Sequence, residues 1–170
     1  MKELVDKVKR PLSIDPSINN LGWAIHHDKK LYQYGILHPF TKHGEYQVKS
    51  FELTEKIKKK IIKEMIDFVV IETPDHWSIG GFAARESGAL PKLSFICGMI
   101  CWCCYESNAQ VLTVIPRRWK GQMPKEVMRN RMIVDFPDEP IADMDNNIID
   151  GIGIGVWFVT KRLDKLEVSK

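Results

Sequence analysis

The sequence has no apolar run long enough to cross a bilayer. Its longest uncharged apolar stretch, Leu93 to Tyr105, falls well short of the roughly 20 residues a spanning helix needs. No secretory leader is visible, because residues 1–10 are charged and no apolar run of leader length follows. Cysteine is missing outside one short segment, which holds Cys97, Cys101, Cys103 and Cys104. Zinc sites take two separated pairs with turn residues between them, whereas the neighbours here are Ile100, Trp102 and Tyr105. The thiols therefore read as buried positions on a helix, and disulfides are not expected without an extracellular signal. Repeats and low-complexity tracts are absent as well. With 44% hydrophobic and 28% charged residues, the chain is neither disordered nor collagen-like. At 170 residues the expectation is a single domain over 1–170, soluble and cytoplasmic, with no membrane contact and a core that needs no staple.

A net charge of +3 says little about partners, but its arrangement says more. Lys56, Lys58, Lys59, Lys60 and Lys63 crowd one segment. Arg117, Arg118, Lys120, Lys125, Arg129 and Arg131 crowd another, opposed only by Glu126. Acids follow at once: Asp135, Asp138, Glu139, Asp143 and Asp145. Basic patches beside a knot of carboxylates suit a metal-dependent enzyme acting on a polyanion. Solvated helix faces account for the first lysine run equally well.

The hydrophobic pattern gives an element order. Residues 11–17, PLSIDPS, read as a short strand ending in an acid and a turn. LGWAIHH and KKLYQYGILHP, joined at Asp28-Lys29-Lys30, add two strands and complete an antiparallel meander. Leu53, Ile57, Ile61 and Met65 recur every four residues in a helix from about Tyr46 to Met65. The run from Asp67 to Glu72 is a buried strand ending in an acid, stopped by Thr73-Pro74. After the loop of residues 75–84 comes a long helix from about Arg85 to Ser107, with Pro91 marking a kink or a start. Residues 110–115 form the fifth strand, Lys125 to Phe136 a helix, and about Asn146 to Leu163 a last helix. Glycines 151, 153 and 155 weaken that helix intrinsically, which implies tight packing against the sheet. The fold class is α/β, a mixed five-stranded sheet of three antiparallel and two parallel strands with helices on both faces. The ribonuclease H-like fold has this order. His26, His27, His38 and His43 suggest only strand ends and turns, and His76 a loop bystander.

Three acids stand out. Asp15 ends the first strand, Glu72 ends the fourth, and Asp150 lies near the start of the last helix inside IIDGIGIGVWF. In α/β sheets the first and fourth strands are commonly neighbours and ligands gather at their carboxyl ends, so the three acids would converge. Converging acids repel unless a hard cation neutralises them, and oxygen ligands suit Mg²⁺ or Mn²⁺. Two such ions roughly 4 Å apart activate water and stabilise the leaving oxygen in phosphodiester hydrolysis. Taken one at a time, Asp15 before Pro16-Ser17 also fits a turn, while Glu72 after four apolar residues is harder to assign to structure.

LSIDPSINNLGWAI, VVIETP and NNIIDGIGIGVW together resemble the three acidic motifs of the RuvC family of Holliday junction resolvases, particularly its short phage-type members. The resemblance runs from about Leu12 to Thr160. It implies a ribonuclease H-like fold, a homodimer, and divalent-metal cleavage of two opposed strands of a four-way DNA junction. Carried over by position, Asp15, Glu72 and Asp150 match three of the family's four metal-binding acids. The fourth position, one helical turn before the last, holds Asn147, which offers a carbonyl oxygen but no charge and should weaken the second metal. Asp145, Asn146 and Asp143 are alternatives. IPRRWKGQMPKE resembles the family's basic stretch, with Lys120 and Lys125 as the matching lysines. Lys125 stands among the catalytic candidates, and Arg117, Arg118, Lys120, Lys125 and Arg129 among those for DNA binding. Either lysine stabilises developing charge at the scissile phosphate or simply contacts backbone phosphate. In the loop after Glu72, Trp77 and Phe82 either stack on unpaired bases, worth about 1–3 kcal/mol each, or tuck against the long helix. The helix at 85–107 corresponds to the family's dimer helix, with a monomeric core helix as the alternative.

Three functional readings follow: a junction resolvase, a broader nuclease on flaps, forks or RNA–DNA hybrid, and a junction-binding protein that has lost catalysis. Asn147 favours the last, and the retained Asp15, Glu72 and Asp150 oppose it.

Overall fold

The computed structural model describes residues 10–28, 30–75 and 88–160. β1 (Pro11–Asp15), β2 (Leu21–His27) and β3 (Lys30–Leu37) form the antiparallel meander. α1 (Tyr46–Lys63) leads to β4 (Phe68–Glu72), α2 (Ala89–Glu106) and β5 (Gln110–Val114). A short α3 (Pro116–Trp119), α4 (Lys125–Asp135), a 3₁₀ turn (Ile141–Asp143) and α5 (Asn146–Thr160) complete the order. The sheet runs β3-β2-β1-β4-β5, with β4 and β5 parallel to β1, so the predicted mixture of three antiparallel and two parallel strands is present.

Strand alternation divides the core. Leu12, Ile14, Val69 and Ile71 face α1 and α2, meeting Leu53, Ile57, Ile61, Ile96 and Ile100. Phe68, Val70 and Val114 face the other way, toward Met128, Met132, Ile149, Ile152 and Phe158 on α4 and α5. Both faces are covered, so β4 reads as a continuous apolar run rather than an alternating one. Pro91 lies in the first turn of α2, where a missing N–H is harmless, so it marks a start and not a kink. Residues 85–87 and 161–163, which the sequence pattern assigns to helices, lie outside the described residues.

The glycines of α5 act as the sequence implies. A Cβ on Gly22 of β2 would fall onto the Asn147 carbonyl, so backbone meets backbone where α5 crosses the sheet. Ser13, fully buried on β1, donates its hydroxyl to the Gly151 carbonyl at 2.7 Å, with the Ala24 carbonyl at 3.0 Å. This fixes the start of α5 against the strand that ends in Asp15.

Two expectations need correction. His26 does lie near the end of β2, but it is more than a strand end. Its ring is wholly buried against Gly155 with neither nitrogen hydrogen-bonded, and burial pushes its pKa down to about 4. The lysine run on α1 is largely committed locally. Lys60 lies 3.4 Å over the Trp23 ring, Lys56 sits over Phe40, and Lys58 pairs with Glu106 at 3.0 Å. Lys59 and Lys63 are left exposed. The four thiols are free, with Cys97, Cys103 and Cys104 buried on α2 and all four pushed up by burial.

Candidate active site

Ile14 pairs with Ile71, so the next residue of each parallel strand, Asp15 and Glu72, ends up at the same carboxyl edge of the sheet. Asp150, in the second turn of α5, reaches that edge because Gly151 lets the helix lie on the backbone of Gly22 and Trp23. Asp15, Glu72 and Asp150 thus lie at one edge of the sheet, near enough for the charges of Glu72 and Asp150 to act on Asp15. Burial, then Glu72 and Asp150, hold the Asp15 carboxyl well above the usual range, against the pull of Lys120 and Lys125. Burial also raises Glu72, an effect that Lys120 and an indole N–H oppose.

That indole belongs to Trp119, which sequence reasoning missed. Its Nε1–H donates to Glu72 Oε2 at 2.6 Å. The ring is wedged by α5, where a Cβ on Gly153 would come within 2.8 Å of it. A tryptophan inside a basic segment gives no local sign of this. The usable signal is Pro116, which starts a one-turn helix and turns Trp119 back toward the sheet.

Lys120, expected on the DNA side, lies among the acids. Its Nζ is 3.1 Å from Asp150 Oδ2 and 3.7 Å from Glu72 Oε2. Burial alone would lower its pKa, but Glu72, Asp150 and Asp15 together raise it, so the ammonium stays charged. Lys125 opens α4 and its charge is felt at Asp15. Arg117 and Arg118 are exposed beside the cluster.

Arg129 does not fit its expected role. Its guanidinium is taken up by the carbonyls of Ile141, Ala142 and Met144, at 2.8–2.9 Å, and by Asn146 Oδ1. It holds the turn before α5 together, leaving no free fork for phosphate. Asn147 also acts structurally, donating Nδ2–H to the Asn20 carbonyl at 2.8 Å, which ties α5 to the β1–β2 loop. Asp145, weighed as a replacement ligand, caps α5 by accepting from the Asn147 N–H at 2.8 Å. Trp77, Phe82 and His76 lie outside the described residues.

The donor set is all carboxylate oxygen, half-buried and mutually repelling, which fits a hard divalent cation in both charge and ligand type. Among the described residues, no group of three His, Cys, Asp or Glu side chains is drawn closely enough together to hold a metal by itself. The positive charge at Glu72 and Asp150 is instead the Lys120 ammonium.

The sequence matches no family model and no curated protein. Solved structures do match. RuvC of T. thermophilus in complex with a Holliday junction substrate superposes with a TM-score of 0.71 at 13% identity, over 95% of this chain and 98% of the other. The chain has the RuvC-like resolvase fold. The yeast mitochondrial Holliday junction resolvase Ydc2 aligns with a TM-score of 0.63 at 12% identity, over 93% of this chain and 82% of that one. The fowlpox virus resolvase in complex with Holliday junction DNA gives 0.55 at 17% identity, over 88% and 98%.

Proposed function

We propose that this chain is a metal-dependent endonuclease that resolves four-way and other branched DNA junctions by paired phosphodiester hydrolysis. The observation that carries this reading is the convergence of Asp15, Glu72 and Asp150 at one edge of a RuvC-like sheet. Two of the similar structures are complexes with junction DNA, which supports branched DNA as the substrate class.

Asp15, Glu72 and Asp150 are the side chains that would hold Mg²⁺, or Mn²⁺ in its place, and a metal bound there would supply an activated water and charge neutralisation at the phosphate. Trp119 fixes the Glu72 carboxylate through one oxygen, so its orientation is set before substrate arrives. Arg117 and Arg118 contact backbone phosphates, and Lys125, beside Asp15, balances charge developing at the scissile group. The products are a 3′-hydroxyl and a 5′-phosphate.

A homodimer supplies two related sites for two related strands. The outer face of α2 supports this, since Phe95, Trp102 and Tyr105 are 40%, 62% and 74% exposed. With Phe51 of α1, Phe95 and Trp102 line a groove of about 600 Å³. Free thiols suit a reducing compartment, in keeping with a cytoplasmic protein. Among the described residues, no helix is long and apolar enough to cross a membrane.

Comparing cleavage of a four-way junction, a flap, an RNA–DNA hybrid and linear duplex tests the reading. Preferred cutting of the junction supports it, and equal cutting of linear duplex overturns it. Asn147 favours the second reading, a junction binder with weakened catalysis, because its amide nitrogen is engaged by Asn20 and its side chain brings no charge. Tight junction binding without cutting in either metal would establish that reading.

A further inference from the structure

One oxygen of each of two candidate metal ligands is already engaged. Asp150 Oδ2 faces the Lys120 ammonium at 3.1 Å. Glu72 Oε2 takes the Trp119 N–H at 2.6 Å and faces the same ammonium at 3.7 Å. Lys120 is not a long side chain sweeping through solvent. Its side chain is only 22% exposed, and its Nζ lies 4.7 Å from the centre of the Trp119 ring. A cation bound to these oxygens would therefore sit against a buried positive charge, and like charges in a partly desolvated site exclude one another. Lys120 also has a route out. It caps α3 and is followed by Gly121 in the left-handed region at φ +63°, a conformation that glycine adopts without strain. Exposed Arg117 and Arg118 lie on the same short helix, so a phosphate backbone approaching them arrives next to Lys120.

We propose that Lys120 is a resident counter-ion that keeps divalent metal off Glu72 and Asp150 until a DNA phosphate draws its ammonium away, so that metal loads together with substrate. The inference rests on the reading of Asp15, Glu72 and Asp150 as metal ligands. Its consequence is a site that is metal-poor in the absence of DNA. By linkage, the factor by which junction DNA tightens metal binding equals the factor by which metal tightens junction binding.

Mn²⁺ binding to the full chain, followed by the electron paramagnetic resonance of free Mn²⁺ and by calorimetry, tests this without any turnover. The DNA-free wild type should bind weakly and Lys120→Met at least tenfold more tightly. An uncleavable phosphorothioate junction should tighten Mn²⁺ binding in the wild type by at least tenfold more than in Lys120→Met. Equal or weaker Mn²⁺ binding by Lys120→Met than by wild type would overturn the proposal. Lys120→Gln, which keeps a hydrogen-bond donor for Asp150, repeats the comparison if the methionine variant does not fold. Failure of all three proteins to bind Mn²⁺, with or without junction, would overturn the metal reading itself. Normal binding in the wild type without DNA, unchanged by either substitution, would overturn only the gate.

Discussion

Trp119→Phe removes one proton donor and keeps an aromatic ring in the slot beneath α5. The lost bond is a 2.6 Å donation to a carboxylate whose side chain is only 15% exposed, so water replaces it poorly. Hydrogen bonds to charged groups contribute about 1.5–3 kcal/mol, and leaving the acceptor unsatisfied forfeits that amount. At about 2–4 °C per kcal/mol for a chain of this size, Tm should fall by about 3–12 °C. The sign of the second effect also follows. The indole favours the charged form of Glu72, so its removal raises the Glu72 pKa further and shifts the acid limb of junction cleavage to higher pH. Scanning calorimetry and a cleavage profile from pH 5 to pH 9 measure both. Met128→Leu, which alters packing beside Gly153 but no hydrogen bond, should leave the acid limb in place. A phenylalanine variant with wild-type Tm and an unmoved acid limb would refute the claim that Trp119 positions Glu72.

Other positions give equally direct tests. His26 titrates at about 4 in the fold against an ordinary 6.5, so it opposes unfolding fully above pH 6.5 and progressively less as pH falls toward 4. The loss is about 3 kcal/mol at 1.36 kcal/mol per unit. His26→Leu should lose less stability than wild type between pH 7 and pH 4, read from urea midpoints, and parallel curves would contradict this. Arg129→Met should lower stability by about 2–3 kcal/mol while leaving the salt dependence of junction binding unchanged. Arg117→Ala with Arg118→Ala should do the reverse, reducing the log–log salt slope by about 0.9 for each phosphate no longer neutralised. Gly22→Ala sets a methyl on the Asn147 carbonyl and should cost about 4 kcal/mol or more by chemical denaturation.

What was legible in the sequence, and what was not, divides along physical lines. Glu72 stood out because an acid closing a run of strand-forming apolar residues has no easy structural excuse, whereas Asp15, which also fits a turn, gained weight only beside the other two acids. Asp150 could be found because it interrupts the most apolar helix of the chain. The mixed sheet followed from the meander and the later alternation of strand and helix. Roles within the basic segment were not legible, because Arg117, Lys120 and Arg129 are alike as sequence and differ only in what lies opposite. One faces solvent, one faces two carboxylates, and one faces a ring of backbone carbonyls. The same limit hid Trp119 and His26. Burial of a polar ring depends on glycines distant in sequence, at Gly153 and Gly155.

The central claim is that Asp15, Glu72 and Asp150 form one metal-dependent nuclease site acting on branched DNA. Its most direct test is cleavage of a four-way junction labelled on each strand, with Mg²⁺ or with a chelator, by wild type and by Asp15→Asn. The account predicts paired cuts in two opposed strands by the wild type with Mg²⁺, and none by the variant or under chelation. Cutting that survives either the chelator or Asp15→Asn would contradict it.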